Sequence, residues 1–118
     1  MSSVLVVDDE QAIREFLDDV LTGAGYEVST ASDGQAALTH IATAPPDLVV
    51  LDIMMPVLDG REVLKRMRAD PTLRHVAVLV MSAAADPGPL VSVERFLPKP
   101  FDLDELLSAI EDLLGASR

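Results

Sequence analysis

The stretch Leu48-Val49-Val50-Leu51 is apolar at every position and is followed at once by Asp52. A strand with one face in water would show a polar residue at every second position, so this run is typical of a strand buried on both faces of a parallel sheet. The remaining candidate strands are two similar apolar runs, Val4–Val7 and Val76–Met81, and two shorter segments, Val28–Ala31 and Phe96–Leu97.

The segments between these runs have apolar residues at helical spacing. One stripe consists of Ile13, Phe16, Leu17, Val20 and Leu21, and another of Leu103, Leu106, Leu107, Ile110, Leu113 and Leu114. Residues with the spacing of a capping box predict helix starts at Ser32, Asp59 and Asp102. Strand and helix therefore alternate about five times, which predicts an α/β domain with a parallel sheet and helices on both faces.

One helix of this series is expected to be short or missing. Pro87, Gly88 and Pro89 stand where the fourth helix should begin. Proline lacks an amide donor and glycine resists helix formation, so only Leu90–Glu94 remains for a helix. The length of 118 residues otherwise suits one domain, and residues 1–118 are interpreted as a single unit.

The composition excludes several classes of function. Hydrophobic residues make up 49% and charged residues 25%, as in an ordinary globular protein. The absence of cysteine excludes a disulfide framework, a zinc–thiolate site and a thiol nucleophile. With 9 basic and 20 acidic residues the net charge is −11, which argues against direct binding to nucleic acid or to a membrane surface. With no long apolar run and no basic leader, we expect a cytoplasmic protein.

Polar residues with chemical potential stand directly after the apolar runs. They are Asp8 and Asp9, Asp52, Ser82 and, after the fifth run, Lys99. Ligands of open parallel sheets bind beyond the carboxyl ends of the strands, so these side chains are expected at one edge. Taken singly, each has an ordinary structural explanation, such as a helix cap or a solvated charge. Their joint position favours a functional site.

Three carboxylates at one edge repel each other and indicate a hard cation such as Mg²⁺. A carboxylate-bound metal, an ammonium and a hydroxyl together suit a phosphoryl group. The first strand is followed by no glycine, which argues against a nucleotide phosphate cradle. The phosphate is therefore expected on a carboxylate, with Asp52 as the central candidate.

At these residues the chain resembles the receiver domain of two-component response regulators, of the single-domain type related to chemotaxis regulators. The matching motifs, in the order of the family, are Val6–Glu10, Leu51–Pro56 with Asp59-Gly60, Met81–Ala83 and Lys99–Phe101. The resemblance implies a flavodoxin-like, doubly wound, five-stranded sheet with strand order 2-1-3-4-5. It also implies a phosphorelay, in which Asp52 accepts phosphate from the phosphohistidine of a sensor histidine kinase or phosphotransfer protein.

The same resemblance implies roles for the other residues of the site. Mg²⁺ would be bound by Asp9, Asp52 and the backbone carbonyl of Met54, with Asp8 acting through water. Lys99 would contact the phosphoryl group. Ser82 and Phe96 would form the switch pair that changes on phosphorylation. The Lys99–Pro100 bond resembles the family's cis peptide, although the sequence alone allows either isomer.

Several alternatives remain at this point. The chain could be a phosphorylation-independent interaction module, or pseudo-receiver, although all expected site residues are present. A phosphohydrolase is less favoured, because Ile53, Met54 and Met55 offer no second acid or base. We expect no enzyme beyond self-phosphorylation and self-dephosphorylation, and a monomer or weak dimer acting on an unknown output protein. The chain is either a single-domain regulator or the receiver part of a longer protein.

Overall fold

The five apolar segments form the five strands of one sheet. In the computed structural model, which describes residues 2–55, 58–82 and 95–116, they are β1 (Ser3–Val7), β2 (Glu27–Ala31), β3 (Leu48–Asp52), β4 (Ala77–Ser82) and β5 (Arg95–Pro98). All neighbouring strands are parallel, and their order is β2-β1-β3-β4-β5. The predicted order 2-1-3-4-5 is confirmed. Because the chain turns to β2 on one side of β1 and to β3 on the other, the carboxyl ends of β1 and β3 flank a ligand-binding crevice.

Four helices cover the sheet in the described part of the chain: α1 (Gln11–Gly23), α2 (Gly34–Thr43), α3 (Gly60–Ala69) and α4 (Leu103–Ala116). Alternate residues of β1 point to opposite faces. Leu5 and Val7 pack in the cluster that includes residues of α2 and α3. Val4 and Val6 pack in the cluster that includes residues of α1 and α4. Helices on both faces are thus confirmed, and they bury the central strands from either side.

The helix starts agree with the sequence in part. Asp59 accepts hydrogen bonds from the backbone amides of Arg61 and Glu62, at 2.8 and 3.3 Å, as a cap of α3 should. The prediction for α2 was wrong by one residue. Its cap is Asp33, whose carboxylate accepts from the amide of Ala36 at 2.8 Å, whereas Ser32 is exposed.

The short or missing helix was expected within residues 84–94, which lie outside the described residues. No helix within residues 2–55, 58–82 and 95–116 has both the length and the apolar character needed to cross a membrane.

Candidate functional site

Three carboxylates meet at the carboxyl edge of the sheet. Asp8 and Asp9 directly follow β1, and Asp52 is the last residue of the adjacent strand β3. One oxygen from each of the three lies within 4.8 Å of the others. Asp8 and Asp52 are buried, at 0% and 2% exposure, whereas Asp9 is exposed. The residues that the sequence placed at one edge are therefore in one pocket.

Asp8 is hydrogen-bonded to several other parts of the chain. Its Oδ1 accepts a hydrogen bond from the Glu10 amide, and its Oδ2 accepts one from the Nζ of Lys99, each at 2.9 Å. Its own amide donates to the carbonyl of Ala31, at the end of β2, at 3.2 Å. A buried carboxylate needs such partners, because an unpaired charge in the interior is costly.

Asp52 has fewer partners. Its Oδ1 accepts from the Met54 amide at 3.2 Å and lies 3.7 Å from the Nζ of Lys99. Burial raises the pKa of Asp52, and repulsion from Asp8 raises it further. The attraction of Lys99 and the Met54 hydrogen bond do not offset these effects, so the pKa of Asp52 is about 6. Asp52 is thus a carboxylate that lacks enough positive charge around it.

Lys99 places its ammonium in contact with both buried carboxylates. Its backbone amide donates to the carbonyl of Ser82 at 2.6 Å, and the Lys99–Pro100 peptide is cis. Burial acts to lower the pKa of Lys99. The hydrogen bond and charge of Asp8, together with the charges of Asp52 and Glu10, outweigh burial, so the pKa of Lys99 is raised and the ammonium form persists.

Ser82 and Phe96 lie on the neighbouring strands β4 and β5. Ser82 is the last residue of β4 and is fully buried. Phe96 lies in β5, opposite Val80 of β4, and is partly buried against the core cluster that includes residues of α2 and α3. The structure therefore places both predicted switch residues on adjacent strands, and Ser82 also contacts the Lys99 backbone.

The turn after Asp52 shapes the other wall of the pocket. The Ile53 carbonyl accepts hydrogen bonds from the amides of Met55 and Gly60, each at 3.0 Å. The Met54 carbonyl has no hydrogen-bond partner among the described residues. The Met54 side chain is 56% exposed.

The donors of the pocket fit a hard divalent cation. Carboxylate oxygens and a backbone carbonyl are the ligands that Mg²⁺ takes in proteins, usually with water completing its shell. Burial raises the pKa of Asp52 most, and repulsion from Asp8 adds to this effect, so the charged form of Asp52 is only partly compensated by Lys99. A bound cation would relieve that repulsion.

Arg14 was not found from the sequence, and Gly60 was named there only as part of the Asp59-Gly60 motif, without a packing role. The Nη1 of Arg14, one turn into α1, donates to the backbone carbonyl of Asp8 at 2.8 Å. Gly60 lies so close to β3 that a Cβ there would be 2.5 Å from the Asp52 carbonyl oxygen. The sequence offered only weak signals for these roles: Arg14 shortly follows Asp8 and Asp9, and Gly60 directly follows the capping residue Asp59.

A five-stranded parallel sheet of this order, with an acidic pocket and a lysine at its carboxyl edge, defines a flavodoxin-like domain of the kind found in response regulators. The family model for the response regulator receiver domain matches residues 4–111. The chain belongs to this family.

Curated relatives and solved structures support the assignment to this family. The chain is 44% identical over 116 residues to the response regulator MprA of Mycolicibacterium vanbaalenii, covering 94% of this chain and 49% of the relative. The Vibrio cholerae chemotaxis protein CheY4 has 33% identity and a TM-score of 0.88, covering 96% of this chain and 98% of that one. The response regulator TrrA of Thermotoga maritima, solved in complex with Mg(2+)-BeF, has 34% identity and a TM-score of 0.87, covering 96% and 99%. This chain thus spans about half the length of its curated relatives.

Proposed function

We propose that this chain is a phosphoacceptor receiver, in which Asp52 takes a phosphoryl group from the phosphohistidine of a sensor histidine kinase or phosphotransfer protein. The observation that carries the proposal is the position of Asp52. It is a buried carboxylate 3.7 Å from a lysine ammonium, in a group of three acids within 4.8 Å. This combines a nucleophile with the positive charge that a phosphoryl group needs.

In the proposed reaction a carboxylate oxygen of Asp52 attacks phosphorus, the P–N bond breaks, and the histidine nitrogen leaves with the electron pair. A pKa of about 6 leaves Asp52 mostly ionised at neutral pH, so it can act as a nucleophile. The Lys99 ammonium, already held by Asp8, is close enough to contact an oxygen of the transferred group. When bound by Asp9, Asp52 and the Met54 carbonyl, with Asp8 reached through water, Mg²⁺ would supply further positive charge.

The proposed response is a change at Ser82 and Phe96. These residues lie on adjacent strands, and the Ser82 carbonyl already accepts from the Lys99 amide. A phosphoryl group near Lys99 would attract the Ser82 hydroxyl, and Phe96, only partly buried, would change its packing. A switch of this kind would alter binding to an output protein that the chain does not identify.

The remaining proposals concern the whole protein. We infer a signalling domain that catalyses only its own phosphorylation and dephosphorylation, with residues 1–118 as one receiver unit. The similarity to TrrA, whose structure was solved with Mg(2+)-BeF, supports the choice of Mg²⁺. Cytoplasmic location and a monomeric or weakly dimeric state are proposed with it.

The test is incubation of the protein with Mg²⁺ and a small phosphodonor such as acetyl phosphate, followed by mass spectrometry. One added phosphoryl group is expected on the wild type and none on Asp52→Asn. Asp19→Asn is the matched control, since Asp19 is an exposed acid of α1, and it should label like the wild type. A wild type that takes no phosphate from the donor or from any histidine kinase would favour the pseudo-receiver alternative.

A further inference from the structure

The side chain of Arg14 returns to the turn that precedes its own helix. Arg14 is in the first turn of α1, and its amide donates to the Glu10 carbonyl at 3.1 Å. Helical side chains lean toward the N-terminus, which directs the guanidinium back to the end of β1. There Nη1 donates to the backbone carbonyl of Asp8 at 2.8 Å.

That carbonyl belongs to the peptide unit between Asp8 and Asp9. This position is important for Asp9, because the three carboxylates differ in the hydrogen bonds that fix them. The Asp8 carboxylate is held by the Glu10 amide and by Lys99. The Asp52 carboxylate is held by the Met54 amide. The Asp9 side chain is exposed and has no hydrogen-bond partner among the described residues, so only its backbone determines where its carboxylate lies.

We propose that Arg14 is a positioning residue, which fixes the Asp8–Asp9 peptide and so keeps the Asp9 carboxylate within reach of the divalent cation. The inference rests on the proposed function only in its choice of cation. Arg14 would act through the backbone and would not touch the phosphoryl group. Groups that orient metal ligands in this indirect way commonly change metal affinity about tenfold or more when they are removed.

Removing the Arg14 side chain should change Mg²⁺ affinity in the direction opposite to that expected from its charge alone. A guanidinium near a metal site repels a dication, so removing its charge alone should strengthen Mg²⁺ binding. If the hydrogen bond to the Asp8 carbonyl is what matters, removal should weaken binding instead. The direction of the change therefore separates a positioning role from a purely electrostatic one.

The experiment compares Mg²⁺ affinity by isothermal titration calorimetry in the wild type, Arg14→Met, Arg14→Lys and Arg74→Met. Methionine keeps the stem and helix propensity but removes charge and donor. Arg74 is the matched control. It is exposed and precedes β4, so it lies near the amino ends of the strands, opposite the carboxyl edge that holds the pocket. We expect Mg²⁺ binding to Arg14→Met to be about tenfold weaker, partial recovery in Arg14→Lys, and wild-type binding in Arg74→Met.

A second measurement needs no metal. Amide hydrogen exchange at Asp9 and Glu10 in the metal-free protein should be faster in Arg14→Met, with exchange in α4 unchanged as evidence of an intact fold. Unchanged or tighter Mg²⁺ binding in Arg14→Met would overturn the proposal, as would a wild type that binds no Mg²⁺. If Arg14→Met weakens Mg²⁺ binding but Asp52 never accepts phosphate, the positioning role stands and the proposed function fails.

Discussion

Lys99 illustrates how a residue acquires its role from distant neighbours. It is 91 residues from Asp8 along the chain, yet its Nζ is 2.9 Å from the Asp8 carboxylate and 3.7 Å from that of Asp52. The sequence predicted that Lys99 stands at the same sheet edge as the acids. It did not predict that the shorter contact is to Asp8, because that depends on how far β1 and β5 extend relative to each other.

The charge of Asp52 should destabilise the metal-free protein. Its pKa of about 6 lies above the ordinary value of 3.8, so between these values the folded state holds a proton that the unfolded state has lost. Stability attributable to Asp52 therefore falls as pH rises through this window. Without metal at pH 7.5, Asp52→Asn should be more stable than the wild type by about 1–3 kcal/mol, because one pKa unit corresponds to about 1.4 kcal/mol.

Urea unfolding at several pH values with chelator present measures this difference. The advantage of Asp52→Asn should shrink toward pH 4, and Asp19→Asn should show no such trend. A constant difference between pH 4 and pH 7.5 would mean that Asp52 is not destabilised by its charge.

Met54 should make the phosphorylated form long-lived. Its exposed side chain flanks Asp52 and cannot hydrogen-bond an attacking water, whose positioning limits hydrolysis. Replacing Met54 with Asn should speed the loss of phosphate several-fold, whereas Met54→Leu should leave it unchanged. Decay of the phosphorylated protein after removal of the donor, followed by mass spectrometry, gives both rates. Equal decay in the two variants would show that water access is controlled elsewhere.

At the scale of the elements, the start of α2 shows how a local signal can be displaced. Both Ser32 and Asp33 are good capping residues, and the capping-box spacing from Ser32 to Gln35 favoured the first. In the structure the Asp33 carboxylate receives the Ala36 amide. Gly34, the first residue of α2, accounts for this choice. A Cβ at Gly34 would lie 2.5 Å from the Leu58 carbonyl oxygen, so only glycine fits where the helix begins.

Asp33→Ala should therefore cost about 1 kcal/mol of folding free energy, the usual loss for a removed cap. Ser32→Ala is the matched control and should change stability little. Thermal and urea unfolding of the two variants decide the point. A larger loss for Ser32→Ala would restore the cap suggested by the sequence.

The start of α3 lies close against β3 because Gly60 has no side chain. A Cβ on Gly60 would lie 2.5 Å from the Asp52 carbonyl oxygen and 2.7 Å from the Ile53 Cα. Both are backbone atoms that cannot rotate away, so Gly60→Ala should displace the end of β3. We expect a loss of about 1–3 kcal/mol in stability, as in other overpacked sites, together with slower phosphorylation of Asp52.

Gly23→Ala provides the control, because a Cβ on Gly23 meets nothing within 4 Å. Gly23 ends α1, and alanine there should be neutral or slightly stabilising. Stability by urea unfolding and labelling by acetyl phosphate should be compared in the two variants. Normal labelling and stability in Gly60→Ala would show that the strand end tolerates a shift.

For the whole molecule, Mg²⁺ should raise the melting temperature. A ligand that binds only the folded state stabilises it by mass action, and here it also relieves repulsion among Asp8, Asp9 and Asp52. Millimolar Mg²⁺ should raise Tm by a few degrees, and Asp9→Asn should abolish most of the rise. Calorimetric scans with Mg²⁺ and with chelator test this. Identical Tm values in the wild type would exclude a metal site in the pocket.

The amino-acid sequence was sufficient to predict the order of strands and helices along the chain, the parallel sheet and the edge where Asp8, Asp52 and Lys99 meet. These features follow from apolar patterning, which is local and repeats along the chain. Three features became evident only in the folded structure. Asp8 and Asp52 are buried while Asp9 is exposed. Arg14 donates a hydrogen bond to the Asp8 carbonyl, and Gly60 packs against β3. Burial, pKa and close backbone contacts depend on atoms that come together from separate segments of the chain. The spacing of residues within one segment therefore cannot predict them.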